Sequence, residues 1–254
     1  MNETNPTTAP RDRGLIVLRV LVAWALLSVV LMSQLRVGGS DVVRLEIAGS
    51  AQNFETELKR WQEPGEALCG VGAKDDGRGP GFGTLRCNLF VDSVGLVPGY
   101  VGLLLLFTLT LAPRAGWRHP LAPHLLCAPA VAAGLFDIAE NGMTGRALED
   151  WQRIVLADAT VREVLWASLG KWALIALAFA LLALLAWGAA RRALATRPAL
   201  LKAAALAALA AAALGAAGTW RQAPQLLSAG MLAGIGALLL LTAWRWRAGP
   251  PAAP

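Results

Sequence analysis

Six separate stretches of about 20 mostly apolar residues dominate this chain and restrict what it can fold into. Each stretch is long enough to cross the hydrocarbon core of a bilayer as an α-helix. Only 16 % of the residues are charged, against about 25 % in soluble domains. The sequence therefore predicts an all-α, polytopic membrane helix bundle with spans at residues 15–35, 95–113, 121–143, 164–190, 199–218 and 225–244.

The basic residues predict the orientation of these spans. The chain has a formal net charge of +6, and its basic residues cluster before the first span, after the second, after the fourth and after the sixth. If the spans alternate in direction, all four clusters lie on one side, and the positive-inside rule places both termini in the cytoplasm. The excess charge is thus explained by topology, and we predict no nucleic-acid partner. The residues concerned are Arg11, Arg13, Arg114, Arg118, Arg191, Arg192, Arg197, Lys202, Arg245 and Arg247.

The segments outside the spans are short except for one. Residues 1–13 are polar and contain two prolines, so we expect a disordered cytoplasmic N-terminus, and residues 248–254 form a short cytoplasmic tail. The first span, 14–35, is too long for the apolar region of a cleavable signal peptide and is predicted to remain as an anchor. A second outer segment, 144–163, is expected to contain a short helix.

The outer loop, residues 36–94, is the one sizeable region outside the membrane. Within it Ser50 can act as an N-cap, and Phe54, Leu58 and Trp61 follow at the spacing of one helical face. This pattern predicts an amphipathic helix that ends before Pro64-Gly65. The helix could lie on the membrane surface or cover the bundle.

The three cysteines and two histidines do not form a metal site in the predicted topology. Cys69 and Cys87 lie in the outer loop, where the compartment is oxidising, so we predict a disulfide; two unpaired thiols are the alternative. The spacing between them is not that of a metal site, and His119 and His124 are expected on the opposite side of the membrane. Cys127 is interpreted as a packed apolar residue. We predict neither a metal nor a cofactor.

Polar residues occur at one depth in two neighbouring spans. Asp137, Glu140 and Asn141 share a helical face near the outer end of the third span. Asp137 lies about 9 Å below that end, and Lys171 in the fourth span lies about 10 Å deep, at 1.5 Å rise per residue. Ser168 is one turn above Lys171 on the same face. The two antiparallel helices should therefore bring these side chains together.

The second span adds an acid and a tyrosine to this predicted site. Asp92 falls near the outer interface, and Tyr100 lies two turns below it on about the same side. Pro98 is expected to distort the helix between them and to free backbone carbonyl groups. With three acids and one lysine the site has a formal charge of −2. An enclosed site would compensate this charge by protonating a carboxyl group or by binding a cation or cationic ligand.

Two interpretations of the polar site remain open. In the structural one, Asp137 and Lys171 form an ion pair that locks two helices. In the functional one, the site faces a water-accessible cavity and binds a ligand, a proton or a cation. Asp137 and Glu140 would then be an acid–base pair, with Lys171 fixing the charge state of Asp137. The candidate ligand-binding residues are Asp92, Tyr100, Asn141 and Ser168.

Three functions are compatible with these residues. The leading hypothesis is binding, with or without transformation, of a lipid or small amphiphile that enters from the outer leaflet, with the loop helix as a cover. The second is a proton- or cation-coupled transporter, although no inverted repeat is visible. The third is a structural or assembly protein without catalysis. Whether the protein is an enzyme is left open.

The last two spans, within residues 191–247, are rich in alanine and glycine and contain no ionisable residue near their centres. Gly230 and Gly234 form a small-x-x-x-small pattern that permits close approach of helix backbones. We interpret this region as a scaffold or as a face for homo-oligomerisation. Membrane lipids are the other expected partners.

The stretches "LEIAGSAQNFETELKRW", "DSVGLVPGY", "FDIAENGM" and "SLGKW" occur in this order along the chain. In this combination the chain resembles a recurring set of uncharacterised bacterial multi-pass membrane proteins with an Asp-x-x-Glu-Asn transmembrane motif. The resemblance covers about residues 40–175. It implies a bacterial inner membrane and no particular reaction. It also implies a shared site made of Asp92, Tyr100, Asp137, Glu140, Asn141 and Lys171.

Overall fold

The computed structural model describes residues 13–35, 42–61, 82–153, 155–192 and 197–247. These residues form helices and connecting turns and include no strand, so the predicted all-α class is confirmed. In chain order the α-helices are α1 (Arg13–Gln34), α2 (Val42–Glu46), α3 (Ala51–Arg60), α4 (Phe82–Val91), α5 (Val97–Arg114), α6 (Ala122–Arg153), α7 (Asp158–Arg191), α8 (Pro198–Arg221) and α9 (Pro224–Arg247). A π-helical turn, Asp92–Leu96, joins α4 to α5.

Six helices of the described chain are long and apolar enough to cross a membrane, in agreement with the six predicted spans. Three of them extend six or more residues beyond their predicted ends. The second begins at Gly83, the third continues to Gln152, and the fourth begins at Asp158. The short helix expected in 144–163 is therefore the end of α6 and the beginning of α7. The extra turns pack against α2 and α3, which form a cap at this end of the bundle.

The cap has an apolar core of its own. Ser50 accepts a hydrogen bond from the Asn53 backbone N–H and caps α3, as predicted. Phe54, Leu58 and Trp61 are all buried, so α3 covers the bundle and does not lay its apolar face on the membrane surface. The other members of this core come from α2, α4, α6, α7 and the connection between α6 and α7: Leu45, Leu85, Leu89, Ala147, Leu148, Leu156, Val161 and Val164.

The main apolar core lies in the bundle, away from the cap. Helix α7 is central, since it contacts α5, α6 and α8, while α1 lies at the side against α5. The second span approaches α1 through glycines: a Cβ atom on Gly99 would lie 3.0 Å from the Cβ of Ala25. We refer to the two ends of the bundle as the cap end and the basic end, the latter holding Arg114, Arg191 and Arg245.

Helices α8 and α9 form a tight hairpin. A Cβ atom on Gly230 would lie 3.0 Å from the backbone nitrogen of Gly215 in α8, and one on Gly234 would lie 2.6 Å from the ring of Phe179 in α7. Both glycines of the small-x-x-x-small pattern thus serve contacts within the chain. Homo-oligomerisation through this hairpin stays a prediction.

Several predicted features lie outside the described residues. These are the N-terminal segment before Arg13, the Pro64-Gly65 helix end, Cys69 and the C-terminal tail. Cys87 is buried and disulfide-bonded, whereas Cys127 is free and buried in α6. The pairing of Cys87 with Cys69 stays a prediction.

Candidate functional site: a lysine among four acids

The centre of the polar site is the ammonium group of Lys171 on α7. Its Nζ lies 2.6 Å from Glu140 Oε2, 3.1 Å from Asp137 Oδ1 and 3.0 Å from Glu46 Oε2. All four residues are at most 5 % exposed. One positive charge is therefore shared by three carboxyl groups that come from α2 and α6.

Each of these carboxyl groups accepts a further hydrogen bond from a neutral donor. Tyr100 Oη donates to Asp137 Oδ2 at 2.9 Å, and Thr144 Oγ1 donates to Glu140 Oε1 at 3.2 Å. Trp172 Nε1 donates to Glu46 Oε2 at 3.2 Å. These bonds fix the orientation of the acids around the lysine, because a buried carboxylate needs several donors to offset its lost hydration.

Glu46 is the member of the site that the sequence analysis missed. It is the last residue of the five-residue helix α2 and reaches from the cap into the bundle. A helix this short has no detectable periodicity, so its buried face could not be predicted. The one available signal was local: Glu46 stands between Leu45 and Ile47, both of which are also buried.

Asp92 forms a second polar group next to the Lys171 cluster. The Nδ2 of Asn141 donates to Asp92 Oδ2 at 2.8 Å and to Ser93 Oγ at 3.1 Å. Asp92 is 8 % exposed, and among the described residues it pairs with no lysine or arginine. A buried carboxyl group without a cationic partner is costly in its ionised form.

The helix changes its hydrogen-bonding pattern where Asp92 enters the site. The N–H of Val97 donates to the carbonyl of Asp92, five residues earlier, and Pro98 follows without an N–H. The predicted distortion near Pro98 is thus a π-helical turn. Such turns insert one residue into a helix and are frequent at functional sites.

The structure brings together the side chains that the sequence analysis selected. Asp92, Tyr100, Asp137, Glu140, Asn141 and Lys171 all take part in the bonds above. Ser168 is fully buried one turn from Lys171, but its Oγ has no partner among the described residues. The catalytic roles expected for Asp137, Glu140 and Lys171 stay predictions.

The charge of the site is more negative than the sequence indicated. With Glu46 and the neighbouring Asp92 both counted, the site holds four carboxyl groups and one ammonium group, which gives a formal charge of −3 if all are ionised. Burial raises the pKa of the Glu46 carboxyl above its usual 4.5, and the nearby Lys171 ammonium offsets this only in part. Glu46 therefore holds its proton at a higher pH than an exposed glutamate does.

The surroundings of the site differ on its two sides. Towards the basic end, α5 and α7 continue into the main apolar core through residues such as Leu104, Phe107 and Leu182. At the cap end, a cleft of about 280 Å³ opens between α2, α3 and the turn that joins α8 to α9. Its polar lining includes Arg44, Asn53, Thr56, Glu57, Gln222 and Gln225.

Comparison with known proteins finds no matching family model, no similar curated protein and no similar solved structure. The resemblance to bacterial multi-pass proteins with an Asp-x-x-Glu-Asn motif stays a prediction. The chemistry of the site follows from its own geometry. Among the described residues, no group of three or more His, Cys, Asp or Glu side chains is arranged to hold a metal ion.

Proposed function

We propose that this integral membrane protein binds protons at the Lys171 cluster and that protonation holds the cap on the bundle. The observation that carries the proposal is the contact of one ammonium group with three buried carboxyl groups from two elements. We further propose, from the arginines at the basic end, that both termini lie in the cytoplasm. A bacterial inner-membrane location is proposed from the resemblance to bacterial multi-pass proteins alone.

Proton binding is the simplest way to balance this cluster. Each uncompensated charge in a buried site destabilises the folded state by roughly several kcal/mol, even after the surrounding structure has relaxed. Carboxyl groups that share a site cannot all ionise at neutral pH, so some of them keep a proton. The charged groups that face Glu46 are Lys171 on α7, Asp137 and Glu140 on α6, and Asp92 in the π-helical turn.

The position of Glu46 links protonation to the cap. Glu46 is contributed by α2, whereas its partners Lys171 and Trp172 belong to α7 in the bundle. A change in the charge of Glu46 therefore alters the contact between the two parts. Since the core towards the basic end is apolar, protons would exchange with the cap side.

Replacing Glu46 by glutamine tests the proposal. Because the pKa of Glu46 is raised in the folded protein, its contribution to stability is fully present below pH 4.5 and is lost as the pH rises through the folded pKa. As the pH rises from 4.5 to the folded pKa, the free energy of unfolding of the wild type should fall, relative to that of Glu46→Gln, by up to about 1.4 kcal/mol per pH unit. Thermal unfolding of the full chain in nanodiscs between pH 4.5 and 8 measures the difference.

A matched substitution in the cap provides the control. Glu55 on α3 lies outside both the Lys171 cluster and the lining of the cap-end cleft, so Glu55→Gln should follow the wild-type pH curve. Parallel curves for the wild type and Glu46→Gln would contradict proton binding at Glu46. They would support a permanent ion pair and hence the structural interpretation.

Binding of a lipid or small amphiphile is a second candidate, favoured by the cleft at the cap end. Arg44 and Glu57 give this cleft one basic and one acidic side chain, which suits a zwitterionic headgroup. Nearby Trp220 is 90 % exposed, as expected for a residue at the membrane interface. Catalysis has less support, because Asp137 and Glu140 are both bonded to Lys171.

Native mass spectrometry distinguishes headgroup binding from general lipid contact. The purified protein is expected to retain phosphatidylethanolamine more strongly than diacylglycerol, which lacks the charged headgroup. The double substitution Arg44→Ala and Glu57→Gln should reduce the retained phosphatidylethanolamine several-fold and leave diacylglycerol unchanged. Equal retention of the two lipids by the wild type would contradict a headgroup site.

A further inference from the structure

Beside the Lys171 cluster lies a group of buried oxygen atoms that lack donors. Asn141 and Asn88 are 6 % and 2 % exposed, and the Oδ1 atom of each has no hydrogen-bond partner among the described residues. Within the described part of the chain, Asp92 receives one side-chain hydrogen bond, from Asn141, and forms no ion pair with a lysine or arginine. Buried polar atoms are nearly always satisfied in folded proteins, so this group of unsatisfied acceptors requires an explanation.

The fold brings these acceptors into one neighbourhood. Asn88 and Asp92 are four residues apart, at the end of α4 and the start of the π-helical turn, and α4 contacts α6. The side-chain amide nitrogen of Asn141, on α6, donates a hydrogen bond to Asp92. The unsatisfied Oδ1 belongs to the same amide group and therefore lies close to Asp92. Because the Asp92 carboxylate can only accept hydrogen bonds, it fixes which end of the Asn141 amide is the nitrogen and which is the oxygen.

The π-helical turn adds a backbone oxygen. The carbonyl of Ser93 would normally accept from the amide four or five residues later. The N–H of Val97 donates to Asp92 instead, and Pro98 has no N–H. Broken or unwound helices in membrane proteins use such carbonyl groups to coordinate monovalent cations.

We propose that Asp92, Asn141 and Asn88, with the backbone at Ser93, form a binding site for a small monovalent cation such as Na⁺. The ligands would be oxygen atoms, which hard cations prefer. The single carboxylate matches one positive charge, whereas Ca²⁺ sites use several carboxylates. The cation would also supply the positive partner that Asp92 lacks. This site is separate from the proposed proton site, because its ligands do not include Glu46 or Lys171.

The experiment compares cations at constant ionic strength. The full chain in phosphatidylcholine nanodiscs is unfolded thermally at fixed pH in sodium chloride and in choline chloride. Sodium should raise the unfolding midpoint by about 3 °C at a concentration roughly ten times its dissociation constant. Saturable binding of ²²Na⁺ with one ion per chain is the direct measurement.

Three variants show where the cation binds. Asp92→Asn should abolish both the sodium-dependent shift and ²²Na⁺ binding, and Asn88→Ala should weaken ²²Na⁺ binding about tenfold or more. Glu149→Gln, at an exposed position of α6, should behave as the wild type. If Asp92→Asn does not fold, the Asn88→Ala result and the wild-type ²²Na⁺ measurement still decide whether the cation binds at this site. Equal midpoints in the two salts without saturable ²²Na⁺ binding would overturn the proposal and leave a site filled by water.

Discussion

Replacing Lys171 by methionine is expected to destabilise the protein by roughly 3–5 kcal/mol, the usual effect of removing one partner from a buried ion pair. The substitution keeps a similar side-chain length but removes the one ammonium group that contacts Glu46, Asp137 and Glu140. The carboxyl groups must then take up protons or leave the core. We expect strongly reduced accumulation in membranes and a much lower unfolding temperature.

Two comparisons identify the cause of this loss. Lys202→Met changes an exposed lysine of α8 near the basic end and should leave stability within about 0.5 kcal/mol of the wild type. Adding Asp137→Asn and Glu140→Gln to Lys171→Met removes two of the stranded acids and should restore part of the lost stability. A single Lys171→Met variant as stable as Lys202→Met would contradict a stabilising role for the contacts of Lys171 with the three acids.

Replacing Gly230 by valine should separate α8 from α9 and destabilise the bundle by roughly 1–3 kcal/mol or more. A Cβ atom at this position would lie 3.0 Å from the Gly215 nitrogen and 3.3 Å from the Ala211 carbonyl oxygen. Both are backbone atoms, which cannot move aside as a flexible side chain can. The measurement is thermal unfolding together with the yield of folded protein from membranes.

The same helix offers a matched control at Gly236, where a new Cβ atom would meet nothing within 4 Å. Gly236→Val introduces the same β-branched side chain, so any cost of helix propensity is common to both variants. Stability close to the wild type is expected for Gly236→Val. Equal effects at Gly230 and Gly236 would mean that close backbone contact in the hairpin is not important.

The sequence was sufficient to predict the bundle, because a membrane selects spans by length and hydropathy alone. The ends of three spans were not predictable in the same way. The last turns of α6 contain polar residues such as Glu149 and Asp150, yet the helix continues to Arg153 because Ala147 and Leu148 pack into the cap. Helical structure there depends on tertiary contacts, which a hydropathy pattern does not report.

The polar site was predicted wherever helical spacing and depth determine position. Asp137, Glu140 and Lys171 follow from two regular helices that run antiparallel. Glu46 was missed, since its place depends on how a short segment of the loop folds back over the bundle. The oxygen acceptors around Asp92 depend on the π-helical turn, whose register cannot be obtained from residue spacing.

The Glu46 contact has a consequence for biogenesis. Trp172, which donates to Glu46, follows it by 126 residues, and a ribosome needs roughly 6–25 s to add that many residues. During this time Glu46 has already been translated while its partners on the fourth span are still being made. The cap can therefore dock only after the second, third and fourth spans have been inserted. A segment of the outer loop that is synthesised early is thus among the last to reach its final place.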